Sequence, residues 1–151
     1  MKQKKILLII SAGIILLAFS SQKQKDAVDD DRFLVYKVNT KTQDIRFYLK
    51  DENNVTFGSI ENLKNWLAKR KKKLVFAMNA GMYKQDQLPL GLYIENQKVI
   101  APINKSAGSG NFYLQPNGVF YIGTNNSAQI SKTKNFPGNK GVKFATQSGP
   151  M

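Results

Sequence analysis

Apolar residues in this sequence come in short runs cut off by segments rich in Asn, Gly and Pro, and only one stretch beyond residue 32 repeats at helical spacing. A chain patterned this way buries a core mainly by pairing strands. The runs at 33–38 and 45–49 read as two strands joined through the polar segment 39–44. The run at 74–78 is continuously apolar and stops at Asn79-Ala80-Gly81, which predicts a strand buried in a sheet interior. Residues 92–103 fold back around Glu95-Asn96-Gln97-Lys98 as a hairpin. Residues 112–114 and 119–122 flank Gln115-Pro116-Asn117-Gly118, which predicts a second hairpin. Residues 124–139 read as a polar loop with a short strand at 128–131, and 142–145 as the last strand. The helical stretch begins at Ser59, a good N-cap, with Glu61 in the first turn. Ile60, Leu63 and Leu67, with Trp66 beside them, give it one apolar face, and Lys69-Arg70-Lys71-Lys72-Lys73 close its C-terminal end. The expected fold class is α+β: a mixed or mainly antiparallel sheet with hairpins and one amphipathic helix.

The N-terminus has a different character. Met1 to Lys5 is positive, and 6–19 is an uncharged apolar stretch of about 14 residues, the length of a signal h-region and short for a membrane span. Ala18-Phe19-Ser20 supplies small residues for cleavage. Residues 1–20 are therefore read as a signal peptide, with an uncleaved anchor as the alternative, and 21–32, containing Asp29-Asp30-Asp31, as a polar linker. Residues 33–151 are read as the N-terminal portion of an incomplete single domain, because the last strand opens into a loop with no element after it. The expected location is extracytoplasmic, periplasmic or secreted, with no membrane contact once the signal is removed.

Two absences restrict the chemistry. The sequence has no His and no Cys, which excludes Ser-His-Asp and Cys-His catalysis, disulfides and thiolate metal sites. Lys and Arg number 23 against 10 Asp and Glu, a net charge of +13, which favours anionic partners; solubilising lysine is the plainer explanation. No nucleic-acid motif, metal-ligand set or cofactor signature is legible.

Candidate binding residues lie where apolar runs end. Asn79 and Gly81 follow the run at 74–78, and Gly81 permits a close backbone approach. Gln147, Ser148 and Gly149 follow the last strand in the same manner. No base stands beside Ser148 in the sequence, so hydrogen bonding is the more economical role for it. The segment Asn104 to Asn111 is rich in Gly and hydroxyls, without P-loop spacing. Asp86 and Glu95 make no convincing spaced carboxylate pair for glycoside cleavage.

Several segments occur in an order that resembles one family. They are Phe76-Ala77-Met78-Asn79-Ala80-Gly81-Met82-Tyr83, Gly91-Leu92-Tyr93-Ile94-Glu95-Asn96-Gln97-Lys98, Gly110-Asn111-Phe112-Tyr113-Leu114, Pro116-Asn117-Gly118-Val119-Phe120-Tyr121 and Ala145-Thr146-Gln147-Ser148-Gly149-Pro150-Met151. This succession resembles the bacterial phosphodiester glycosidase domain proteins, relatives of the lysosomal enzyme that uncovers mannose-6-phosphate tags. The resemblance implies hydrolysis at a sugar-1-phosphate diester, with a glycosyl phosphodiester or phosphate-bearing glycan as partner. It nominates Asn79, Gly81, Gln147, Ser148 and Gly149 as substrate-binding, with Asn111 added. Members of that family continue through an arginine region to a Leu-Asp-Gly segment absent here, so no catalytic residue is nominated. A non-catalytic module binding anionic envelope glycopolymers is the alternative.

Overall fold

A five-stranded sheet carries the fold. The computed structural model describes residues 33–151, so the expected signal peptide 1–20 and linker 21–32 lie outside the described residues. Tyr36–Met151 forms one compact unit. Its elements are helix α1 (Ile60–Lys69), strands β1 (Tyr93–Glu95), β2 (Lys98–Ala101), β3 (Gly118–Gly123), β4 (Ala128–Lys132) and β5 (Val142–Ser148), and short 3-10 turns at Asn111–Tyr113 and Thr133–Asn135. The strands lie in the order β2-β1-β5-β3-β4, and every pairing among them is antiparallel. The α+β expectation stands, with the mixed sheet resolved to an antiparallel one among the described residues.

Two hairpins set the register. Asn96 and Gln97 both take positive φ, 49° and 68°, the twist a two-residue turn needs between right-twisted strands. In the β3–β4 turn, Asn126 has φ 59° and Asn125 accepts from the Ser127 N–H at 3.0 Å. β5 sits between β1 and β3, so its side chains reach both faces in alternation. Leu92, Ile94, Val119, Tyr121 and Ala145 build the core on one face, with Ile103 and Phe136 against them. Tyr93, Ile122 and Phe144 build the other, under Phe47.

Residues 45–49 do not join this sheet as a strand. They pack on one face of it: Phe47 stacks on Phe144, Tyr93 and Phe120 at 5.3, 6.0 and 6.4 Å between centroids, while Ile45 and Leu49 pack beside it. Burying Phe47 contributes roughly 1.5–3 kcal/mol. The helix forms as expected at its start, where Ser59 Oγ accepts from the Asn62 N–H at 3.1 Å. The expected apolar face is only partly covered, since Leu67 is buried while Ile60 is 47% exposed. Trp66 packs edge-on to Phe57 and Tyr48, donates to Glu52 at 2.8 Å, and carries the Arg70 guanidinium 3.8 Å above its ring.

Three further expectations are corrected. Residues 33–38 and 74–78 form no strand. Val75 and Met78 are 69% and 72% exposed, and Phe76 instead stacks on Tyr36 at 4.9 Å. No described strand lies alongside to supply a ladder for them. Residues 112–114 belong to a 3-10 turn and its cap rather than a hairpin strand, because Phe112 turns inward and is buried. β5 runs to Ser148, so Gln147 and Ser148 are strand residues and not loop residues.

Glu95 couples the covering segment to the sheet. Its carboxylate accepts from the Tyr93 hydroxyl at 3.1 Å and from the Leu49 backbone. Burial lifts Glu95 above the usual carboxylate range, and these two hydrogen bonds only partly oppose that. A raised carboxyl favours the protonated form in the folded state. The stability it contributes is therefore complete below the unfolded-state value and declines as pH rises through the folded-state value. The Glu95→Gln variant is expected to gain stability relative to the parent as pH rises from about 4 to 7. Urea midpoints at the two pH values check this, and parallel profiles for the two proteins would contradict it.

Candidate functional site

The end of β5 is the point where the separated polar segments meet. Gln147 organises it. Its side chain is buried, at 1% exposure, and its amide is entirely committed within the chain. Oε1 accepts from the Leu92 N–H at 3.0 Å and the Asn104 N–H at 2.9 Å. Nε2 donates to the Asn104 carbonyl at 2.7 Å and to Thr133 Oγ1 at 3.3 Å. Asn104 extends the network, since its Nδ2 donates to the Leu90 carbonyl at 3.0 Å and its Oδ1 caps the Ser106 N–H. One side-chain amide thus fixes the entry to β1, the start of the 104–111 loop and the turn after β4. A buried amide suits this place because it offers donors and an acceptor in one plane.

Three glycines mark where backbones touch. A Cβ at Gly81 would stand 2.3 Å from Thr146 Oγ1 and 2.8 Å from the Gln147 carbonyl. One at Gly91 would stand 2.5 Å from Gln147 Oε1 and 2.7 Å from the Phe112 ring. One at Gly149 would stand 2.5 Å from the Phe112 carbonyl and 2.8 Å from that of Asn111. No side chain fits at these distances, so glycine is required there by contact. The Asn79–Gly81 segment therefore adjoins the end of β5, although the run before Asn79 is not a strand.

Between the 79–90 segment and the 109–113 segment lies an open cleft of about 420 Å³. Asn79, Gly81 and Asn111 line it, together with Met82, Tyr83, Leu90, Ser109, Gly110, Phe112 and Tyr113. Asn79 and Asn111 are exposed, and neither side-chain amide bonds to the described residues. Gly149 backs the cleft through the Asn111–Phe112 main chain, while Ser148, half-buried and opposite Gly118 in the ladder, is not among the lining residues. Among the described residues the cleft walls carry no Asp, Glu, Lys or Arg, and no group of three acidic, His or Cys side chains stands ready for a metal ion. Beneath the 3-10 turn, Asn117 Nδ2 donates to the Phe112 carbonyl at 3.2 Å.

Sequence reasoning did not nominate Tyr83, Tyr113 or Thr133, and took Asn104 only as the start of a Gly-rich loop. The first two were passed over because an aromatic residue after a turn reads equally well as core. Strand parity offered a usable signal for Gln147, which shares a face with the buried Ala145 two positions before it.

The Gln147→Leu variant keeps the volume and strands four polar groups. It is expected to cost on the order of 3 kcal/mol. The Gln147→Glu variant loses the donor facing the Asn104 carbonyl and is expected to be destabilised as well. Urea denaturation measures both, and a loss under about 0.5 kcal/mol for the leucine variant would remove Gln147 from its organising role.

Residues 72–151 match the phosphodiester glycosidase family. The chain is 33% identical over 145 residues to the uncharacterized protein YigE of Escherichia coli (strain K12), an alignment covering 95% of this chain and 56% of that relative. The chain thus spans about half the length of the curated relative it matches. No solved structure matches it. The chain belongs to the phosphodiester glycosidase family.

Proposed function

We propose that this chain is the N-terminal portion of an exported hydrolase that cleaves glycosyl-1-phosphodiesters outside the cytoplasm, freeing the sugar and leaving a phosphomonoester. The observation that carries this is the cleft at the end of β5, where Asn79, Gly81 and Asn111 converge from segments far apart in sequence. Family membership supplies the reaction class.

In this proposal the roles divide by position. Asn79 and Asn111 present unpaired amides to substrate hydroxyls. Gly81 and Gly149 allow the main chain to close around the cleft. Gln147 holds the walls from behind rather than touching substrate. Ser148 is assigned a hydrogen-bonding role at the rim. General acid–base chemistry falls to groups outside the described cleft walls, where carboxylates are lacking. That fits a chain matching 56% of its relative and leaving Val75, Met78 and Ile130 exposed. The apolar stretch at 6–19 behind a positive N-terminus supports export.

A second reading, a non-catalytic module for anionic glycopolymers, is favoured by the lysine surplus. It predicts binding that weakens with salt and no bond cleavage.

The test is release of free sugar from a panel of glycosyl phosphodiesters by the full-length protein. Turnover is expected, with Asn79→Ala and Asn111→Ala each lowering kcat/KM about tenfold, the worth of one hydrogen bond. No release from any diester, with salt-sensitive polymer binding retained, would favour the second reading.

A further inference from the structure

The cleft walls are uncharged, and that bears on which part of a diester they receive. A phosphate diester carries a full negative charge, which a pocket meets with cations or a dense set of N–H donors. Here Lys and Arg are missing from the lining among the described residues. What the walls offer instead is three aromatic residues, Tyr83, Phe112 and Tyr113, the apolar Met82 and Leu90, the small Ser109, and two free side-chain amides. Apolar surface with a few polar groups suits a neutral amphipathic ligand.

Tyr83 is the most telling of these groups. It is 59% exposed although it lines a concavity, and among the described residues no other ring packs on it. Its main chain is nevertheless held firmly. Tyr83 bridges Pro89 in an antiparallel pair. The Leu90 N–H donates to Met82 O at 3.0 Å, and the Lys84 N–H to Leu88 O at 2.9 Å. The Leu88 N–H donates to Asp86 Oδ1 at 3.0 Å. Residues 82–90 thus form a short stiffened finger, seated at its base where Gly81 meets Thr146 and Gln147. Across the cleft, Tyr113 is fixed from behind. Its ring lies where a Cβ on Gly108 would come within 2.8 Å, and it meets Phe112 edge-on at 5.1 Å. An exposed ring on a rigid support loses little entropy when a ligand covers it.

We infer that this cleft is a sugar subsite: an uncharged pyranose ring lies with its C–H face on Tyr83, Asn79 and Asn111 bond its hydroxyls, and the phosphate stays outside. An amide both donates and accepts, as neighbouring hydroxyls require. An aromatic ring covers the apolar face of the sugar while its hydroxyl remains wet. The inference rests on the hydrolase reading for the identity of the full substrate, and on the cleft alone for the neutral ring.

The test uses the full-length protein and two independent readouts. The first is binding of neutral methyl glycosides of hexoses and N-acetylhexosamines, followed by ligand-observed NMR. Binding is expected to be unchanged between low and high salt and not displaced by inorganic phosphate. Tyr83→Ala is expected to weaken it roughly three- to tenfold, while Tyr83→Phe retains it. The second is diester hydrolysis, where Tyr83→Ala is expected to raise KM by a similar factor with kcat within about twofold. An unchanged thermal midpoint confirms that the variants fold, as the exposure of Tyr83 leads one to expect. Absence of any glycoside binding, displacement by phosphate, or indifference to Tyr83→Ala overturns the subsite even if diesters are cleaved. Glycoside binding through Tyr83 without cleavage of any diester leaves the subsite standing and removes the hydrolase reading.

Discussion

The pairing of the Gln147 side chain with the main chain of Asn104 holds the rest of the molecule's polar end together. A sheet provides ladder bonds for its strands but nothing for the loops that leave it. At the end of β5 three such segments arrive at once, and their backbone groups are buried away from water. Unpaired, each costs about 1–3 kcal/mol. An apolar residue at 147 would leave all of them orphaned, and a carboxylate would serve only the donors. The amide serves both, and as a residue of the central strand it is itself fixed on two sides.

From that fixed point the cleft follows by contact. Gly91 meets the Gln147 amide and the Phe112 ring, so the entry to β1 and the 3-10 turn cannot drift apart. Gly149 rests on the carbonyls of Asn111 and Phe112, and Gly81 on Thr146 and Gln147. Each glycine turns one backbone into the wall of another. The finger at 82–90 and the turn at Asn111–Tyr113 are thereby set a definite distance apart, and the gap between them is the cleft. Asn104 closes the circuit by bonding the Leu90 carbonyl at the foot of the finger.

The parts of this arrangement that were legible in the sequence are those governed by local rules. The hairpin at 92–103 announced itself because strand alternation meets a turn whose residues accept positive φ. The helix start at Ser59 followed from capping chemistry. The run at 74–78 misled because apolarity says that a segment seeks cover without saying what provides it, and Phe76 found Tyr36 rather than a neighbouring strand. At 112–114 two aromatics and a leucine read as strand, yet Phe112 reaches inward toward Gly91 and the chain turns tightly around it. The resemblance nominates Gln147 as substrate-binding, whereas its amide is buried and spent on Leu92, Asn104 and Thr133; its side-chain direction depends on strand parity, and these partners lie 14 to 55 residues away. Long-range pairing of that sort leaves no local trace.

Charge completes the division of labour. Lysine predominates in the chain, and among the described residues the side-chain ion pairs spend arginines, Arg46 on Asp44 and Arg70 on Glu52, rather than lysines. The lysine ammonium groups are left to shape the field in solvent, which at physiological salt reaches about 8 Å before screening removes it. Such a field draws an anionic substrate toward the molecule without specifying how it lies. Orientation has to come from short-range contacts, and the uncharged cleft supplies those for a neutral ring. In the proposed hydrolase, attraction of the phosphate and recognition of the sugar are then separate physical tasks on separate surfaces.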